Sequence, residues 1–219
     1  MNAVAEVKLW GRTIGAVSLE EGKGVAAFEY DSAFAGRGIE IAPLTMPLSD
    51  RVYAFPELSR LTFHGLPGLL ADSLPDRFGN ALIDAWLATR GQPPESFNAV
   101  ERLCYTGRRG MGALEFEPTI GPKARRATRV QIDKLVELAS EILTQRNNLK
   151  VSFAAPKKER ALREILRVGT SAGGARAKAV IAWNPSTNEV RSGQVPAGEG
   201  FEHWLLKFDG VMGNKDKEL

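Results

Sequence analysis

The sequence predicts an α+β protein in two parts, on three observations. Its first thirty residues carry β-type runs, its middle carries helical periodicity, and the remainder combines an amphipathic helix with strand-like runs around a small-residue loop. At roughly 100–200 residues per domain, 219 residues make one large domain or two small ones. We divide the chain into a subdomain over 1–120, a linker over 121–128 and an α+β region over 129–219.

Val4–Trp10, Ile14–Leu19 and Val25–Tyr30 read as strands of an antiparallel meander, separated by Gly11-Arg12-Thr13 and by Glu20–Gly24. Residues 31–60 read as irregular, punctuated by Gly36, Gly38, Pro43, Pro47 and Pro56. Ser73-Leu74-Pro75-Asp76 then carries a helix-start signal: a capping residue, an early proline and an acidic first turn. Phe78, Ala81, Leu82, Ala85 and Trp86 follow at helical spacing until Gly91 and Pro93-Pro94 stop the pattern. A shorter helix is expected over Ser96–Tyr105, with Val100, Leu103 and Cys104 inward and Gly107 at its end, followed by a strand at Leu114–Phe116. In that position Cys104 reads as a small core residue and not as a nucleophile.

Gly121–Arg126 combines turn residues with a charge run and has no apolar periodicity, which suits a linker. Beyond it, Thr128 and Gln131 have capping-box spacing. Ile132, Leu135, Val136, Ala139, Ile142 and Leu143 form one apolar stripe. Another helix is expected over Lys158–Leu166, with Ala161, Leu162, Ile165 and Leu166 inward.

Composition narrows the function classes. With 43% hydrophobic and 25% charged residues the chain is ordinary for a globular protein, which excludes wholesale disorder. One cysteine excludes an intramolecular disulfide framework and a Cys-based zinc cluster, and two histidines argue against a multi-histidine metal site. These counts suit a reducing cytoplasm and would equally fit a secreted protein without disulfides. No signal-peptide core shows, and the apolar stretches fall far short of the ~20 residues needed to span a bilayer, so no membrane partner is expected.

The net charge of +3 hides an asymmetry. Residues 1–120 hold 11 Lys+Arg against 15 Asp+Glu, whereas residues 121–219 hold 18 against 11. Between Lys123 and Lys178, 14 basic residues meet 5 acidic ones. Such a stretch serves either as a solvated face or as a field for an anionic partner.

Chemistry gathers in Val168–Lys178, a loop of small residues carrying hydroxyls and two cations. It leads into the apolar run Ala179–Trp183, a turn at Asn184-Pro185-Ser186, a Gly-rich stretch to Gly200, and the strand-like Trp204–Phe208 with Lys207 embedded. Glycines let a backbone approach an anion closely, and exposed N–H groups in such a loop can cradle phosphate oxygens. A lysine on an apolar strand needs an anion or a route to water. Protein kinases use the same parts in the same order: a glycine-rich loop, then a strand lysine that reaches the nucleotide phosphates. Neither the Walker A pattern nor Gly-x-Gly-x-x-Gly occurs, so a flexible loop with Lys207 snorkelling at a sheet edge stands as the alternative.

Three stretches resemble the HipA family of bacterial toxin–antitoxin kinases. They are Gly65–Asp76, Tyr105–Pro118, and Ser171–Lys178 with His203-Trp204-Leu205-Leu206-Lys207, and they lie in the family's order over most of the chain. The resemblance implies a serine/threonine kinase whose N-terminal β-containing subdomain precedes a kinase N-lobe-like α+β region. It implies that Ala172, Gly173, Gly174, Ala175, Arg176, Lys178 and Lys207 bind nucleotide, and that Ser171 is an inhibitory autophosphorylation site. A dianionic group in a phosphate loop repels ATP phosphates, which agrees with that role. Implied cofactors are ATP and Mg. Implied partners are a HipB-type antitoxin or a kinase C-terminal part or subunit, with DNA met indirectly through the antitoxin. Arg108, Arg109 and His203 read as structural.

The kinase plan also needs a catalytic Asp with a downstream Asn and a metal-binding Asp. After Lys207 twelve residues remain, with Asp209, Asp216 and Glu218 as their acids, and no His-x-Asp or Asp-Phe-Gly sequence occurs. The expectation is therefore that the C-terminal kinase lobe is absent, the chain being a truncated product, part of a split kinase or a decayed paralogue. It is expected to be inactive alone. The competing expectation is a non-catalytic interaction module of such a system.

Overall fold

A computed structural model describes residues 3–20, 22–122, 127–144, 165–166 and 176–208. The architecture is α+β, as the sequence predicts, and the chain divides into two compact units. The first comprises Met1–Leu74 and Phe97–Gly121, the second Pro75–Ser96 and Pro122–Leu219. Pro75–Ser96 thus lies between the two stretches of the first unit in sequence but belongs to the second.

The first unit is built on an antiparallel sheet. Strands β1 (Ala3–Leu9) and β2 (Arg12–Leu19) form a hairpin, β3 (Ala27–Tyr30) pairs with β2, and β4 (Leu114–Glu117) pairs with β1, giving the order β3-β2-β1-β4. The hairpin turn is Trp10-Gly11, both at positive φ (51° and 76°), as a two-residue turn matched to strand twist requires. Trp10 is consequently 78% exposed and not the end of a strand. Gly15 is required by close approach: a Cβ there would lie 2.3 Å from the Glu29 carbonyl oxygen and 2.8 Å from the Phe28 ring.

The stretch read as irregular contains short helical turns, α1 (Ser32–Ala35), α2 (Arg60–Phe63) and α3 (Gly68–Ala71). Asp31 caps α1 through the Phe34 N–H. Tyr53 exchanges backbone hydrogen bonds with Phe28, and Tyr30 donates its hydroxyl proton to the Met46 carbonyl at 2.7 Å. Ring contacts run from Phe28 through Tyr30 to Phe34 and Tyr53. Loop and sheet therefore share one core, to which α5 (Ala99–Thr106) adds Val100, Leu103 and Cys104. This last helix starts later than the sequence suggests because Asn98 and Glu101 form a reciprocal capping box, leaving Pro94–Ser96 as a separate 3-10 turn of the second unit.

In the second unit, α4 (Arg77–Thr89) and α6 (Ile132–Thr144) pack together. The cap of α4 is Asp76 and not Ser73: its Oδ1 accepts the Gly79 N–H at 2.8 Å, so Pro75 lies outside the helix. Burial of Phe78, Ala81, Leu82, Ile83, Ala85 and Leu87 covers more than a single stripe. Helix α6 buries Leu135, Leu138, Ala139, Ile142 and Leu143, while Ile132 and Val136 are half-buried.

The second sheet is antiparallel with order β6-β5-β7, from β5 (Lys178–Asn184), β6 (Glu189–Ser192) and β7 (Glu202–Lys207). Thr128 does not cap α6, which begins four residues later. Its carbonyl accepts the Ser192 N–H at 2.8 Å and its N–H donates to the Ser192 hydroxyl at 3.1 Å. Val130 donates to the Val190 carbonyl at 3.1 Å, so residues 128–130 cover the outer edge of β6. Of the helix expected over Lys158–Leu166, only Ile165 and Leu166 are described, and both are buried. The linker residues 123–126 lie outside the described residues.

Candidate phosphate-binding site

Two lysines define the site. Lys178 opens β5 and Lys207 closes β7, and the two are register partners. Directly opposed residues of an antiparallel pair share a face of the sheet, so two like charges face the same way. Their environments differ sharply. Lys178 is 1% exposed, whereas Lys207 is open to solvent.

Burial of an ammonium is costly unless a counter-charge meets it. Asp76 supplies that charge, with Lys178 Nζ 2.6 Å from its Oδ2 and side-chain exposures of only 2% and 7%. One carboxylate thus caps α4 with one oxygen and holds β5 with the other. Asn80 stiffens this corner by donating its side-chain amide to the Pro75 carbonyl at 2.7 Å. Beyond the lysine pair, Phe208 donates its N–H to the Ala177 carbonyl at 2.9 Å, which extends the β5–β7 ladder towards the loop.

Among the described residues, no hydrogen-bond or ion-pair partner meets the Lys207 ammonium, and no strand pairs with the outer edge of β7. Trp204 is 52% and Leu205 40% exposed, and neighbouring strand residues point to opposite faces, so β7 is open on both. Trp204 meets Trp183 edge-on at 6.4 Å.

Of the residues expected to bind nucleotide, Arg176 is half-buried just before β5, Lys178 is in the ion pair with Asp76, and Lys207 is exposed opposite it. Ser171, Ala172, Gly173, Gly174 and Ala175 lie outside the described residues. Asp76 is the residue that sequence reasoning read only as a helix-start signal. It lies 102 positions from its partner, and no local pattern links the two.

The other singled-out residues have structural surroundings in the first unit. Arg108 pairs with Glu117 at 2.8 Å and with Glu115 at 3.3 Å, while Lys8 reaches Glu117 at 2.6 Å. Those hydrogen bonds hold the Glu117 carboxyl below the usual range, that from Lys8 foremost. Arg109 donates to the Tyr105 carbonyl at 2.6 Å and lies over the Tyr105 ring. Burial pushes the Cys104 thiol up to about 11, which suits a core residue.

The family model of the HipA N-terminal domain matches residues 5–117. This chain belongs to the HipA family. The match spans β1 to β4 and includes α4, the helix that Asp76 caps. No curated protein matches the chain. HipA proteins are in general kinases of toxin–antitoxin systems that associate with a HipB antitoxin. No helix among the described residues is long and apolar enough to cross a membrane.

Proposed function

We propose that this HipA-family chain contributes half of an ATP site to a serine/threonine protein kinase, with Ser171–Lys178 as the phosphate loop and Lys207 as the strand lysine. The observation that carries the reading is the split between two opposed lysines, one buried and neutralised by Asp76, the other exposed and free of a described partner. A solvated ammonium at a strand end fits a nucleotide phosphate as a point charge. Ala172, Gly173, Gly174, Ala175 and Arg176 precede Lys178 in the sequence as the remainder of the phosphate loop, and Ser171 is the residue whose phosphorylation would repel ATP. The cofactors that go with this reading are ATP and Mg.

The chain alone transfers no phosphate, for want of His-x-Asp and Asp-Phe-Gly sequences, and binds ATP weakly because it supplies one side of the pocket. A nuclear magnetic resonance titration with Mg·ATP tests this. Amide shifts centred on Leu206–Phe208 with weak affinity are expected. Shifts confined to other strands, or autophosphorylation that Lys207→Ala abolishes, would contradict it.

A second reading is favoured by the open edge of β7 with exposed Trp204 and Leu205. It makes the chain a non-catalytic interaction module, docking a kinase C-terminal part or subunit, or a HipB-type antitoxin through which it meets DNA. Trp204→Ser would then weaken co-sedimentation with that partner and leave Mg·ATP shifts unchanged.

A further inference from the structure

We propose that the outer edge of β7 is an interface between two copies of this chain, paired antiparallel with Trp204 at the two-fold axis. The proposal stands apart from the ATP reading, because it concerns the strand edge and not the Lys207 ammonium.

The direction of the backbone groups follows from one bond. Phe208 donates its N–H to the Ala177 carbonyl, one step past the Lys178–Lys207 pair. Alternate residues of an antiparallel strand bond to opposite sides. Trp204 and Leu206 therefore bond inward to β5, while His203, Leu205 and Lys207 turn their N–H and C=O groups outward. Among the described residues, nothing meets those outward groups. Such a row is a template for another strand, and the half-exposed Trp204 and Leu205 leave it accessible on both faces.

The side chains select a second copy and its register. A two-fold axis that pairs a strand with itself keeps each face of the sheet continuous, so every residue meets one from the same face. Two registers centre on the exposed apolar residues. Centring on Leu205 sets His203 opposite Lys207 of the second copy, which brings two basic groups together. Centring on Trp204 sets His203 opposite Leu205 of the second copy as a hydrogen-bonded pair. Each Lys207 then lies beyond the start of the other copy's β7 at Glu202, clear of His203.

In this register Trp204 meets its own counterpart at a non-hydrogen-bonded pair, where Cα atoms lie ~4.5 Å apart and side chains approach most closely. Aromatic pairs across strands stabilise a sheet. Trp183 shares the face, since Ile181 is opposite Trp204 and Trp183 is two residues on, and it meets Trp204 edge-on at 6.4 Å. Pairing joins the indoles of both copies into one row. A six-residue edge is small beside the ~1,200 Å² that stable interfaces bury, so the association is weak and reversible.

Sedimentation equilibrium of the full chain from about 5 to about 500 µM tests the proposal. A reversible monomer–dimer equilibrium that stops at the dimer is expected, as a closed two-fold contact requires. Trp204→Ser and Leu205→Pro should each raise the dimer dissociation constant at least about tenfold. The first removes the central aromatic pair. The second removes an outward N–H and spares the β5 ladder. Trp10→Ser, which removes an exposed tryptophan from the other sheet, should leave the constant unchanged. A monomer at every concentration overturns the proposal and leaves the edge to a strand from a different protein. Association beyond the dimer overturns it too, as does a dimer that the β7 variants do not weaken or that Trp10→Ser weakens equally.

Discussion

The two antiparallel sheets handle the same elements of chemistry in opposite ways. In β3-β2-β1-β4, apolar residues such as Ala5, Val7, Val17 and Phe28 are buried in one core, and Lys8, Arg108 and Glu117 satisfy one another. In β6-β5-β7, one edge is covered by residues 128–130, while the other edge leaves Trp204, Leu205 and Lys207 in solvent. Among the described residues, no strand pairs with the outer edge of β7. Exposed apolar residues at an unpaired strand edge mark an interaction site or a liability, and a cation at the end of that strand adds preference for an anion.

Breaking the first sheet should have the largest effect. Phe28→Ala removes a fully buried ring from the aromatic cluster, and a loss of about 3–5 kcal/mol is expected in urea unfolding of the first unit. In the second sheet the matching test is Asp76→Asn, which removes the charge that meets a buried lysine at 2.6 Å and is expected to cost about 3 kcal/mol by the same measurement on the second unit. Trp204→Ser should change stability by less than about 0.5 kcal/mol, because its ring is half exposed on an open strand. A loss as large as that of Phe28→Ala would mean that β7 is as much a core strand as β3.

Charge clusters sharpen the contrast further. Hydrogen bonds from Arg129 and then Arg191 lower the Glu189 carboxyl from 4.5 to about 2. A depressed carboxylate contributes stability above its unfolded value and loses it as pH falls through the folded one. The melting difference between the unaltered chain and Glu189→Gln should therefore shrink between pH 4.5 and about 2 and vanish below that. In the first unit, the buried Cys104 with its raised thiol should resist iodoacetamide at neutral pH until the unit unfolds.

How far the sequence carried the reading follows the same division. The meander of β1 to β3 was legible because alternation of period two survives in a sheet with one buried face. Helix α4 was legible because Asp76, the apolar spacing and Gly91 mark both of its ends. The pattern from Thr128 to Gln131 misled because a Thr that can cap a helix can equally hydrogen-bond a strand, and here Ser192 takes it. Trp204–Phe208 reads as a strand with an embedded lysine, and nothing local reveals that Trp204 and Leu205 are exposed. Lys207 could be picked out as a charge in an apolar run. The Asp76–Lys178 pair could not, since its two members belong to segments that only folding brings together.

The most direct test of the account compares Lys207→Ala with the unaltered chain for both thermal stability and Mg·ATP binding. The account predicts an unchanged melting temperature, because the side chain is exposed, and loss of about tenfold or more in Mg·ATP affinity. A lowered melting temperature with unchanged Mg·ATP affinity would contradict it, making Lys207 a structural residue of the sheet and not its contact with an anion.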